Sequence, residues 1–110
     1  DTDRSRGLGD VYKRQIKKTM IRLNVFVRVN ETNREKAIEA AKELTACSLK
    51  EEGCIAYDTF ESSTRRDVFM ICETWQNAEV LAAHEKTAHF AQYVGIIQEL
   101  AEMKLEKFEF

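Results

Sequence analysis

The chain is 110 residues long, with 17 Lys and Arg against 19 Asp and Glu and a formal net charge of -2, which fits a single domain with one core. That balance excludes a basic field for nucleic acid and a cationic amphipathic face for a membrane, leaving small molecules or protein as partners. No apolar run approaches the ~18 residues of a membrane span, and the N-terminus is too polar for a secretory signal, so the expected compartment is the cytoplasm.

Residues 1–19 mix both charges with Gly7 and Gly9 and show neither helical nor strand periodicity. They read as a disordered, dispensable leader, with Met20 the candidate true start of a domain spanning 20–110. From Ile21 to Val29 the alternation is strict: Ile21, Leu23, Val25, Val27 and Val29 share one face of a strand, and Arg22, Asn24, Phe26 and Arg28 the other. Thr32 and Glu35 have capping-box spacing for a helix running to about Lys50. Its stripe is Ala37, Ile38, Ala41, Leu44, Thr45, Ser48 and Leu49, and Gly53 suits the left-handed position that closes a helix. Cys54 to Glu61 is a second strand, with Tyr57 and Phe60 packing on opposite faces, and a polar loop of hairpin length follows.

The third strand, Val68 to Trp75, is apolar on both sides: Phe69, Ile71, Glu73 and Trp75 share one, Val68, Met70, Cys72 and Thr74 the other. The only Trp of the chain thus stands beside a carboxylate on a face that has to be covered, which points to a site. Asn77 is placed to cap a short helix with Val80, Leu81 and His84 on one side. Thr87 is placed to cap a second, bearing Phe90, Val94, Ile97 and Ala101, so the break falls near Lys86. Met103 to Phe110 alternates again, but its apolar set passes from Met103 and Leu105 to Phe108 and Phe110, which predicts a bulge or twist in the last strand.

This order is the ferredoxin-like βαββαβ pattern of an α+β domain, a four-stranded antiparallel sheet with helices on one face. The row from Ile21 to Val29 asks for more cover than one chain's helices supply, which predicts a homodimer, a dimeric α+β barrel closed between two sheets.

Glu51-Glu52-Gly53-Cys54 with Tyr57-Asp58, then Glu73-Thr74-Trp75, Leu81-Ala82-Ala83-His84 and Thr87-Ala88-His89-Phe90 stand in that order. Together they resemble the successive signatures of the antibiotic-biosynthesis monooxygenase family, over Met20 to Phe110. The resemblance implies a dimeric α+β barrel and cofactor-free oxidation of quinols or anthrones by O2, on a fold that also hosts sugar-phosphate isomerases and haem degraders. The haem-degrading branch fits poorly: the register that aligns Trp75 and Phe90 puts Phe26 where its Asn belongs and Val94 where its axial His belongs.

His84 and His89 are the only side chains whose ordinary pKa lies near neutrality, which makes them the candidate bases for a quinol proton. His84 leads because it shares the stripe of Val80 and Leu81, whereas His89 is equally placed to face solvent. Glu73 reads either as a third base or as an ion-pair partner of Arg22 or Arg28 across the sheet. Trp75, Phe26, Phe69 and Phe90 offer aromatic walls to a flat substrate, and Asn24 a donor to a quinone oxygen. Cys47, Cys54 and Cys72, an odd number without C-x-x-C spacing, read as reduced thiols. A zinc site is not expected either, since His84 and His89 would stand about 140° apart on a continuous helix. With no flavin motif and no nucleotide loop, no cofactor is expected, and the substrate itself must carry electrons to O2. The expected activity is cofactor-independent monooxygenation of a small aromatic quinol or anthrone-like compound. An isomerase acting on a hydroxy-ketone or sugar phosphate, and a non-catalytic small-molecule-binding module, are the alternatives.

Overall fold

A computed structural model describes residues 19–110, so the leader expected at its N-terminal side lies, but for Thr19, outside the described residues. The elements are β1 (Ile21–Val29), α1 (Glu31–Ser48), β2 (Cys54–Glu61), β3 (Val68–Trp75), α2 (Ala78–His84), α3 (Ala88–Leu100) and β4 (Ala101–Glu109). The sheet order is β2-β3-β1-β4 with every neighbouring pair antiparallel, the ferredoxin-like arrangement expected.

Register carries the alternation of β1 into its neighbours. Val25 stands opposite Ile71 and Leu105, and Ile21 opposite Trp75; on the far side of β3, Tyr57 stands opposite Glu73. One face therefore collects the row from Ile21 to Val29 together with Phe69, Ile71, Glu73, Trp75 and Tyr57. The other collects Arg22, Asn24, Phe26 and Arg28 with Met70, Cys72 and Phe60. The helices lie on the first face: α1 contributes Ala37, Ile38, Ala41 and Leu44 to the core, and α3 contributes Ile97.

Two consequences correct the expectations. The five apolar residues of β1 are at most 7% exposed within one chain, so that row does not call for a second subunit. What stays uncovered is the opposite face. The last strand begins at Ala101, earlier than the alternation implied, and pairs with β1 without interruption from Ala101 to Glu109, so it has no bulge. Its change of apolar positions has another cause: β4 is an edge strand that is covered only at its start, where Ala101 and Met103 pack on the core, so Leu105 stays exposed, while Phe108 faces the open side. The irregularity in register falls instead in β2, between Cys54 and Ala56.

Capping follows side-chain chemistry closely. Asn77 and Thr87 cap α2 and α3 as expected, accepting from the N–H groups of Val80 and Phe90. For α1 the cap is Asn30, which accepts from the N–H of Asn33 at 2.9 Å, while Thr32 lies inside the first turn. The helix ends at Ser48 and leaves Leu49 exposed rather than on the stripe. Gly53 does have positive φ, 84°, but in the turn that enters β2. A Cβ there would also sit 2.6 Å from Val80, so both backbone and space demand glycine. No helix among the described residues is long and apolar enough to cross a membrane.

Candidate functional site

Three chain segments meet at the Trp75 end of the covered face: the turn after α1, the end of β3, and the break between α2 and α3. The turn is fixed by backbone bonds, with the Glu51 N–H donating to the Ser48 carbonyl and the Cys54 N–H to the Glu51 carbonyl. This aims the Glu51 side chain at the break. There the Thr87 hydroxyl donates to the His84 carbonyl at 2.7 Å and accepts from the Phe90 N–H at 3.1 Å. Because the chain turns at Thr87, His84 and His89 are not residues of one continuous helix. Both reach the same atom: Glu51 Oε2 lies 2.7 Å from His84 Nδ1 and 2.6 Å from His89 Nε2. The separation around a single helix that argued against a paired arrangement therefore does not apply.

The ring of His84 is 1% exposed and tilted over the indole of Trp75, with centroids 4.4 Å apart. Phe90 meets it edge-on at 5.2 Å, and Tyr57 closes the shell at 5.8 Å. A carboxylate oxygen only accepts, so the nitrogens facing Glu51 carry the hydrogens. In the neutral imidazole His84 Nε2 is then a bare acceptor, and it is buried and without a partner.

Glu73 occupies the floor. It accepts the indole N–H of Trp75 at 2.9 Å. Its pKa is pushed up to about 7, above all by burial; the donors Trp75 and Tyr57 oppose the rise, and the charges of Glu85 and Glu51 add to it. Burial, reinforced by the charge of Glu73, likewise raises the Tyr57 phenol. The expected ion pair from Glu73 to Arg22 or Arg28 does not form. Those side chains project from the opposite face, where Arg22 donates to Thr74 and Arg28 pairs with Glu102.

Of the residues singled out by sequence, His84, Glu73, His89, Trp75 and Phe90 come together here. Asn24, Phe26 and Phe69 do not. Asn24 and Phe26 lie on the open face, where Asn24 accepts from the Cys72 thiol and Phe26 lines a groove of about 560 Å³ with Arg28, Val68 and Lys104. Phe69 shares the covered face but stands opposite Val27, roughly 20 Å along the strand from Trp75, and is core. Sequence reasoning assigned no role in the site to Glu51, quoted only within the family-like run Glu51-Glu52-Gly53-Cys54, and missed the place of Tyr57 against the site. The sequence signals for Glu51 were its place in that run and its position just ahead of the glycine turn that feeds β2.

A family model described as antibiotic biosynthesis monooxygenase matches residues 20–95, which takes in every side chain of this cluster. The chain belongs to that family. Among curated relatives, "Putative monooxygenase YcnE" of Bacillus subtilis is 32% identical over 87 residues, which are 79% of this chain and 92% of that protein. Among solved structures, a conserved protein of unknown function from Bacteroides thetaiotaomicron, described as a possible oxidoreductase, is 97% identical. The match covers 86% of this chain and all of that one, with a TM-score of 0.84. A "Putative antibiotic biosynthesis monooxygenase" from Nitrosomonas europaea shares the fold at 20% identity and a TM-score of 0.76, over 87% of this chain and 92% of that one.

Proposed function

We propose that the chain is a cofactor-independent monooxygenase that oxidises a small, electron-rich aromatic, a quinol or anthrone, with O2. The observation that carries this reading is His84: one nitrogen is held by Glu51, the other is a buried, unpartnered acceptor inside a shell of Trp75, Tyr57 and Phe90. This is the geometry of an oriented general base enclosed in a packed aromatic shell. Substrate reaches Nε2 only by parting the surrounding rings, and chemistry then runs out of contact with water.

For an anthrone-like methylene, His84 Nε2 takes one C–H proton, and the resulting carbanion gives its electrons to O2 to form a carbon–oxygen bond. The imidazolium returns that proton to the terminal peroxide oxygen. Loss of the second C–H proton with cleavage of the O–O bond leaves a carbonyl and water, so that CH2 and O2 become C=O and H2O. Glu51 holds the imidazole in the required tautomer and offsets its transient charge, while Glu73, through the Trp75 indole, fixes the wall of that shell. A phosphorylated isomerase substrate finds no such match, because Arg22 and Arg28 face away from His84.

Oxygen uptake by the metal-free protein across a panel of reduced naphthoquinols and anthrones, corrected for autoxidation, tests the reading. With a responsive substrate, His84→Ala lowers turnover by roughly 100-fold or more, and Trp75→Phe mainly raises KM. Full activity in folded His84→Ala removes this histidine from the mechanism.

A second copy covering the open sheet face belongs to the same proposal. Phe60 and Phe108 are about half exposed there, on the same face as the half-buried Phe26 and Met70, and apolar side chains grouped on one open face are the kind of surface a second copy covers. Sedimentation is expected to show a dimer that Phe26→Glu dissociates without unfolding. A charge at Val25, by contrast, disrupts the core.

A further inference from the structure

His84 Nδ1, His89 Nε2 and a carboxylate oxygen of Glu51 lie within 4.8 Å of one another. They come from the end of α2, the first turn of α3 and the turn after α1, so their meeting depends on the tertiary fold and on no helical spacing. Two imidazoles and one carboxylate form a donor set suited to divalent first-row ions, with at least one coordination position left open. A tetrahedral zinc ion about 2.1 Å from each donor holds the donors about 3.4 Å apart. Glu51 Oε2 now sits 2.7 Å and 2.6 Å from the two nitrogens, which stand as much as 4.8 Å apart, so seating the ion asks the glutamate to retreat by less than ~1 Å and the two imidazoles to close by up to about 1.4 Å.

The surroundings favour a cation. The charges of Glu51 and Glu85 both act on Glu73, and that of Glu51 also raises the Cys54 thiol, whose largest shift comes from burial. Among the described residues, Glu51 pairs with the two histidines and with no Lys or Arg. The unpartnered Nε2 of His84 supplies a further reason. An imidazole that ligates through Nδ1 must carry its hydrogen on Nε2; the change gives up the Nδ1–H bond to Glu51, which coordination of both groups to one ion replaces, and Nε2 has no partner to lose.

We propose that Glu51, His84 and His89 form a binding site for a divalent first-row transition-metal ion, Zn2+ foremost. The proposal goes beyond the monooxygenase reading and does not rest on it. Where both hold, the metal takes Nδ1, sends the hydrogen to Nε2 and thereby switches the base off. Cys54, close enough to feel the charge of Glu51, is the rival ligand.

Calorimetric titration of the metal-stripped full chain with zinc sulfate tests this, alongside Glu51→Gln, His89→Ala and Cys54→Ser, each first shown to melt cooperatively. The expected result is one Zn2+ per chain with low-micromolar or tighter affinity, weakened roughly 100-fold or more by Glu51→Gln and by His89→Ala, and unchanged in Cys54→Ser. Co2+ in place of Zn2+ is expected to give ligand-field absorption without thiolate charge transfer. Absence of binding below millimolar zinc, binding that survives His89→Ala, or binding lost in Cys54→Ser overturns the site. None of these readouts involves oxygen uptake, so the site and the monooxygenase reading stand or fall separately.

Discussion

One side of β3 builds two kinds of interior. At its Phe69–Ile71 end the strand meets Val25 and Val27 of β1, and every side chain is hydrocarbon and almost fully enclosed. At its Glu73–Trp75 end the enclosure is as complete, yet it holds a carboxylate, an indole N–H, a phenol and an imidazole. The first end is stabilised by transfer of apolar area and by contact, and responds to volume. The second gives up some of that gain to keep titratable groups out of water, and responds to protonation. Such an investment of stability marks that end as the candidate functional site.

Truncation of the hydrocarbon end should have the largest effect. Ile71→Ala removes a residue that is 1% exposed and should cost about 2–5 kcal/mol by leaving a cavity. No group at that end titrates, so chemical denaturation should report nearly the same loss at acid and at mildly alkaline pH. A loss that changes strongly with pH would mean that the two ends are coupled.

The polar end should behave in the opposite way. The folded pKa of Glu73 is raised from 4.5 to about 7. Its contribution to stability is therefore full below the unfolded value and is lost as pH rises through the folded one. Glu73→Gln keeps an acceptor for the Trp75 N–H and cannot ionise. The variant should match wild type near the lower value and exceed it above the upper one, by up to about 3 kcal/mol. Parallel pH–stability curves for the two proteins would refute this account of the buried carboxylate.

The hydrocarbon end was legible in the sequence because alternation and stripe are local signals. Ile21 to Val29 announced both a strand and its buried face, and Asn77 and Thr87 announced the helix starts through the side-chain oxygens they offer to the backbone. The same locality misled elsewhere. Asn30 and Thr32 are both competent caps two residues apart, and nothing in the spacing of Thr32 and Glu35 shows that the chain has already entered the helix at Glu31. The alternation of β1 told which residues share a face but not which face the helices would take, so a row that the chain's own helices cover was assigned to a second subunit. Glu51 was hidden for a different reason: it lies 33 residues from His84 and 38 from His89. Its role exists only once the turn at Gly53 and the break at Thr87 have formed.

That break yields the smallest and most discriminating prediction. Thr87 and Asn30 are both helix caps, one at the polar end of the molecule and one far from it, and replacing either with Ala should cost about 1 kcal/mol. Asn30 makes the ordinary capping bond to the N–H of Asn33. The Thr87 hydroxyl bonds in two directions, to the His84 carbonyl and from the Phe90 N–H, and so holds the angle between α2 and α3. Equal losses of stability should therefore have unequal effects on the histidines. Nitrogen-15 spectra of the imidazoles should show His84 carrying its hydrogen on Nδ1 in wild type and in Asn30→Ala, with that signal broadened or lost in Thr87→Ala and kept in Thr87→Ser. If Thr87→Ala leaves both imidazoles as they are in wild type, the hydroxyl is only a cap, and the convergence of His84 and His89 on Glu51 must be held by packing against Trp75 and Tyr57 alone.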